Sequence, residues 1–293
     1  MTAISTQVDR DMLQRMMSWG ADLADFEEHH AADGLYIARS AMLDPSKTDD
    51  LYLAALNTSF TFWIDDRSDK SLSQTSSPVD WDSLLSVTSG RESPESASAA
   101  GGSSEMRFLC NLAEQMRSRT GGRSADYIFW RSSVDTVLRG MRFEEQTSRG
   151  SAPPSYSEYV EAGAASIAIW TVLAGLYIVN DLSRSARFGD PWLEKMERCL
   201  GMSQRLMNDL FSAEKERREA GSGCVCNSVL LLEGVMDPQQ ARRFVDEQVK
   251  GYDRLIRQCL TALGPEDPYA RMVIPMLTCI DEWYGKAPVR YET

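Results

Sequence analysis

Asp65-Asp66-Arg67-Ser68-Asp69 closes an apolar aromatic run, Phe60-Thr61-Phe62-Trp63-Ile64, instead of lying in a polar loop. On a helix Asp65 and Asp69 share a face at the i, i+4 spacing, with Asp66 beside them and Phe62 one turn below, so carboxylate oxygens stand above a hydrophobic wall. Three carboxylates this close repel one another, and a hard divalent cation, Mg2+ or Mn2+, relieves the repulsion because it prefers oxygen ligands. A solvated helix end relieves it too, and this segment by itself leaves both readings open. The stretch from Arg205 to Glu216 adds independent support for a cation. Asn208, Ser212 and Glu216 follow at four-residue spacing and project an amide oxygen, a hydroxyl and a carboxylate from successive turns of one helix face. Arg205 precedes Asn208 by one turn and Lys215 adjoins Glu216, so cationic donors flank the oxygen ligands as a bound diphosphate requires; a metal alone needs none. A polar helix face with ordinary Glu and Lys pairing is the competing reading.

Helices must position these groups. Apolar residues recur at helical spacing in Met12 to Phe26, Leu51 to Ile64, Met106 to Met116, Tyr127 to Phe143, Tyr159 to Val179, Trp192 to Phe211, Ala241 to Leu263 and Met272 to Tyr284, and strand alternation is scarce. Ser155 with Glu158 forms a capping box, and Asp237-Pro238 places an N-cap before a proline at the first helical position. Residues 71–104 are rich in Ser, Gly and Pro and read as a long mobile loop. It is a poor domain boundary, because neither flanking half can bury all its apolar faces alone. The expectation is one all-α domain over residues 1–293, without internal repeats.

Composition excludes several classes. A net charge of -12 argues against a nucleic-acid binder, which would show a basic face. The six cysteines form no paired CxxC clusters, so neither a zinc ribbon nor a disulfide framework is expected, and a reducing cytoplasm fits. Met1 to Arg10 is polar and mixed in charge, unlike a secretion signal. The longest greasy run, Ile167 to Val179, is about 13 residues against the roughly 20 a bilayer needs, and reads as a buried core helix.

Asp65-Asp66-x-x-Asp69 resembles the aspartate-rich motif of class I terpene synthases, and Asn208, Ser212 and Glu216 resemble their second metal motif, in the same order along the chain. Arg290-Tyr291 is similar to the Arg-Tyr pair that closes over the substrate diphosphate in bacterial members. The resemblance covers nearly the whole chain and implies a helical bundle around a central apolar cavity that opens toward the metal site. It implies three Mg2+, with Mn2+ as a possible substitute, and a prenyl diphosphate whose ionisation starts a carbocation cyclisation. Phe62-Trp63-Ile64-Asp65-Asp66, Ser157-Glu158-Tyr159-Val160-Glu161-Ala162-Gly163 and Asn208-Asp209-Leu210 are most similar to the bacterial ent-kaurene synthase type. Many bacterial sesquiterpene cyclases carry a diphosphate-sensing arginine just after a tyrosine like Tyr159; Glu161, Ala162 and Gly163 occupy that place here. This departure favours a copalyl-type C20 substrate and a diterpene product over a sesquiterpene cyclase acting on farnesyl diphosphate.

A carbocation must be kept from water in a cavity lined by aromatic faces, for which Phe62, Trp170 and Trp283 are candidates, although an aromatic at helical spacing is more often ordinary core. Arg205, Lys215, Arg290 and Tyr291 are the candidate diphosphate contacts. No Asp-x-Asp-Asp acid of the class II cyclases is present, so a bicyclic substrate would come from a separate class II cyclase. Family resemblance also implies a homodimer. A reading from another class, a non-catalytic helical protein that binds lipid or a partner, is opposed by the complete ligand sets. His29-His30, in an acidic polar stretch, reads as solvated surface, and Cys224-Val225-Cys226 as a small buried pair.

Overall fold

The start signals in the sequence become helix caps: Ser155 accepts from the Glu158 amide while Glu158 reaches back to the Ser155 amide, and Asp237 accepts from the amides of Gln239 and Gln240. The computed structural model describes residues 6–72, 77–99, 102–150, 152–219 and 226–286. Among these the chain forms α1 (Gln7–Gly20), α2 (Glu28–Ser40), α3 (Thr48–Leu72), α4 (Trp81–Thr88), α5 (Pro94–Ala99), α6 (Ser104–Arg119), α7 (Ser124–Ser148), α8 (Tyr156–Ser166), α9 (Ile169–Val179), α10 (Pro191–Glu219), α11 (Ser228–Glu233), α12 (Pro238–Leu263) and α13 (Pro268–Lys286), with a 3-10 turn at Ser185–Arg187 and no strand. Among the described residues the fold is all-α. Contacts gather the chain into two compact units, one of Met1–Asp135, Thr171–Phe188 and Glu266–Trp283, the other of Thr136–Trp170, Gly189–Pro265 and Tyr284–Thr293.

In the first unit α3 is buried on all sides from Leu51 to Thr61, which is why its apolar run is nearly continuous rather than striped. It packs on α1, α2 and α6, with Phe108 of α6 against Phe60 and Trp63 at ring-centroid distances of 5.1 and 5.3 Å. Asn57 is fully buried and satisfied: its amide donates to the Thr171 carbonyl at 3.0 Å and accepts from the Trp130 indole at 2.8 Å. A close backbone approach occurs at Gly34 of α2, where a Cβ would lie 2.2 Å from Ser59 Oγ and 2.7 Å from the Ala55 carbonyl oxygen. Backbone on α3 cannot yield as a side-chain tip can. Gly34→Ala is therefore expected to cost about 2–3 kcal/mol, the upper part of the range for overpacking, read as a lower urea midpoint at unchanged slope; a loss under about 0.5 kcal/mol would show that the two helices are not locked at this point.

The second unit is built on α8, α10, α11 and α12, whose core includes Tyr159, Leu206, Ala213, Val245 and Val249. Trp170 lies across Gly201 of α10, where a Cβ would come within 2.8 Å of the indole ring, and its ring nitrogen donates to the Glu197 carbonyl at 2.7 Å.

Three sequence expectations change. Residues 71–104, expected as a mobile loop, carry α4 and α5: Asp80 caps α4 through the Ser83 amide, and Trp81, Leu84, Leu85 and Val87 are buried. Tyr159 to Val179, expected as one helix, is broken after Ser166, where Ala168 adopts a left-handed φ of 64° and the Ser166 hydroxyl bonds back to the Gly163 carbonyl at 3.1 Å. A non-glycine residue there costs about 1–2 kcal/mol, and its neighbours must hold it in place. Third, α2 itself was not expected. The stretch Tyr156–Val179 is long and apolar enough to cross a membrane by length and composition, and 78% of its most apolar window is buried inside the protein, as in a core helix.

Candidate active site

The aspartates occupy the last turns of α3, and the residues between them explain how they are held. Arg67 points inward, 5% exposed, with Nε donating to Glu105 Oε1 at 2.7 Å and Nη1 to Asp25 Oδ2 at 2.6 Å. Burial works against its charge, but the bonds and charges of Glu105 and Asp25 outweigh it and hold the guanidinium above its ordinary range. Ser68 is also buried, whereas Asp65 and Asp66 are half-buried and Asp69 is exposed. The i, i+4 separation expected from spacing is thus realised, with Arg67 as the anchor behind it. Asp66 Oδ2 lies 2.9 Å from His30 Nε2 and 3.0 Å from His29 Nε2. Those histidines were expected at a solvated surface. His30 is instead fully buried in the first turn of α2, because α2 packs along α3 and brings residue 30 beside residue 66. Phe62, one turn below the aspartates, packs against Trp283 at 5.8 Å between ring centroids.

In the second unit α10 presents Asn208 and Glu216 half-buried and Ser212 buried. Asn227, the N-cap of α11, donates to Ser212 Oγ at 3.2 Å, and the Ser212 hydroxyl bonds Glu216. Behind that face Asp209 has no solvent exposure; it accepts the Ser228 amide at 3.0 Å and lies 2.9 Å from the Tyr159 hydroxyl. That hydroxyl is also 2.6 Å from the Cys226 carbonyl, so its single proton serves one oxygen at a time. Arg205 is 7% exposed and bound inside this cluster: Nη1 is 3.0 Å from Glu144 Oε1, Nε 3.1 Å from Asp209 Oδ1, Nη2 donates to the Cys226 carbonyl at 3.2 Å, and the guanidinium stacks 4.8 Å from the Tyr159 ring centre. Its stem lies directly on Gly163, where a Cβ would come within 2.8 Å of Nε. The Ser166 hydroxyl also lies 2.7 Å from Glu144 Oε1, so its single proton serves that carboxylate or the Gly163 carbonyl, one at a time.

Electrostatics single out Glu216. Burial, then the charge of Asp209 and to a smaller extent Glu144, push its carboxyl up to about 7, although the Ser212 hydrogen bond and Arg205 pull the other way. Burial likewise raises the Asp209 carboxyl against Arg205 and the Ser228 bonds. The face thus gathers more carboxylate charge than its guanidinium settles, on oxygen donors only, and this donor set fits a hard divalent cation.

Of the expected site residues, Asp65, Asp66, Asp69, Phe62 and Trp283 belong to the first unit; Trp170, Arg205, Asn208, Ser212, Lys215 and Glu216 belong to the second. Arg290, Tyr291 and Cys224 lie outside the described residues. Arg205, expected beside a diphosphate, has its fork engaged by Glu144 and Asp209. Sequence reasoning missed Glu144, Tyr159, Asn227, His29 and His30 as members of these clusters. A signal existed for Asn227-Ser228, a cap pair before Val229-Leu230-Leu231-Leu232; Glu144 is brought in only by tertiary packing.

Residues 57–252 match the family model described as terpene synthase family 2, C-terminal metal binding. Linalool/nerolidol synthase from Streptomyces clavuligerus, solved with 2-fluorogeranyl diphosphate, is similar in fold at 19% identity, TM-score 0.77, over 97% of this chain and 96% of that one. 2-Methylisoborneol synthase from Streptomyces coelicolor A3(2), solved with Mg2+ and geranyl-S-thiolodiphosphate, is similar at 14% identity, TM-score 0.76, over 96% and 92%. Abietadiene synthase from Abies grandis matches at 18% identity, TM-score 0.73, over 94% of this chain and 37% of that one. The chain belongs to terpene synthase family 2, whose members are terpene cyclases, lyases that act on diphosphates, and it carries that family's metal-binding region.

Proposed function

We propose that the protein is a diterpene synthase that ionises a copalyl-type C20 diphosphate with three Mg2+, cyclises the resulting cation and releases a hydrocarbon or alcohol. Asp65, Asp66, Asp69, Asn208, Ser212 and Glu216 are the proposed metal ligands. Bound Mg2+ would stabilise the charge that develops on the departing diphosphate oxygens. Arg205, Lys215, Arg290 and Tyr291 are the proposed diphosphate partners, and Arg205 is also counter-charge to Asp209 and Glu144. Phe62, Trp170 and Trp283 are the proposed aromatic faces that stabilise the cation; Trp170, tied to α10 through Glu197, is fixed in orientation.

The observation that carries the C20 reading is at Gly163. No arginine stands at residues 161–163, and the Arg205 stem covers the Gly163 backbone so closely that any side chain there would displace it. This supports the kaurene-synthase-like group, which resembles the chain in lacking the sensor. A supply of bicyclic substrate from a separate class II cyclase, a homodimeric state and a cytoplasmic location complete the proposal.

The test is incubation of purified protein and Mg2+ with the C10, C15 and C20 linear diphosphates and with copalyl diphosphate of each stereochemical series, followed by gas chromatography and mass spectrometry. A product from copalyl diphosphate that disappears with EDTA is expected. Product from farnesyl diphosphate alone would replace the diterpene reading by the sesquiterpene one, and no metal-dependent product from any substrate would leave a non-catalytic helical protein.

A further inference from the structure

His30 is fully buried, and both of its ring nitrogens are accounted for. The Glu27 amide donates to Nδ1 at 2.9 Å, closing the first turn of α2, and this assigns the ring proton to Nε2. Nε2 then donates to Asp66 Oδ2 at 2.9 Å. His29 places its own Nε2 3.0 Å from the same oxygen while its Nδ1 lies 3.5 Å from Glu27 Oε2. Asp66 Oδ2 is therefore held by two rings on a neighbouring helix, one of them shielded from water and packed against Phe26 at 5.7 Å.

We propose that His30 is a positioning residue for Asp66: its Nε2-H holds Oδ2 so that the carboxylate meets the metal in one orientation. This rests on the reading of Asp66 as a metal ligand. The physical reason is preorganisation. A half-exposed aspartate at a helix end samples several rotamers, and fixing one beforehand removes that cost from metal binding. Hydrogen bonds from a buried donor do this better than bonds from an exposed one, so His30 carries more of the effect than His29.

His29, His30 and Asp66 also offer three ligand atoms within 4.8 Å of one another, the spacing of a small metal site. Direct ligation by His30 Nε2 would require its proton to move to Nδ1, where it would face the Glu27 N–H. Loss of that cap bond makes the histidine a worse ligand than donor.

Two substitutions separate the functions of the ring. His30→Asn keeps an acceptor near Nδ1 for the Glu27 amide and removes the donor to Asp66; His30→Gln keeps a donor near Nε2 and removes the cap acceptor. The probe is Mn2+, titrated in the presence of inorganic pyrophosphate and followed by electron paramagnetic resonance, with thermal unfolding measured on the metal-free proteins. We expect His30→Asn to weaken Mn2+ binding about 10- to 100-fold with little change in Tm, and His30→Gln to lower Tm while retaining most of the Mn2+ affinity. Equal Mn2+ affinity in wild type and His30→Asn, while Asp66→Asn weakens it, would overturn the proposal and leave the ligand reading intact. An Asp66→Asn variant that binds Mn2+ like wild type would instead remove the ligand reading. Stoichiometric Zn2+ binding by the wild-type protein, lost in both His30 variants, would overturn the positioning role in favour of direct ligation.

Discussion

Glu216→Gln is expected to lower metal-dependent product formation about 100- to 1,000-fold, the scale found when one preorganised electrostatic group is removed from a site where charge develops. The substitution preserves shape and removes only the charge. Because that charge is half-buried beside Asp209 and Glu144, its removal should at the same time leave the metal-free protein as stable as before, or more so. Product analysis at saturating Mg2+ and calorimetry in EDTA measure the two effects. A variant that keeps turnover within about threefold would exclude Glu216 from the ligand set; a variant that loses both turnover and Tm would show that its carboxylate is structural.

Arg205→Leu should produce the largest loss of stability. It strips the counter-charge from Asp209, which has no exposure and stays fixed by the Ser228 amide, and from Glu144. Removing one partner of a buried pair costs about 3–5 kcal/mol, or roughly 6–20 °C in Tm at this chain length. The leucine fills part of the volume over Gly163, so the loss reports chiefly on charge. Adding Asp209→Asn should recover part of it, a coupling that a double-mutant cycle measures. If the single variant loses less than about 1 kcal/mol, the network is permeable to water and Arg205 is available to other partners.

Much of this was legible locally. Capping boxes, helical stripes and the spacing of Asp65, Asp69, Asn208, Ser212 and Glu216 are relations within a few turns, and the structure realises them. What failed depended on remote partners. The contact face of α2 includes Ala31, Gly34 and Ala38, residues too small to register as an apolar stripe yet suited to close backbone approach, so the sequence does not announce the helix and His30 reads as surface. The break at Ala168 has neither glycine nor proline at the turning residue, and only the surrounding packing imposes it. For Arg205 the one-turn distance from Asn208 is visible in the sequence, whereas its ion pair with Glu144, on α7, is not. In residues 71–104 the serine content outweighed the buried set Val79, Trp81, Leu84, Leu85 and Val87.

The first unit is discontinuous along the chain, and this sets an order of assembly. Asn57 finds its carbonyl acceptor at Thr171, and Phe62 its aromatic neighbour at Trp283. During synthesis α1 and α2 are already present to cover part of the aspartate-bearing helix as it emerges, and α6 follows soon after. The faces around Asn57 and Phe62 must wait, exposed to self-association or shielded by chaperones, until residues 171 and 283 have left the ribosome.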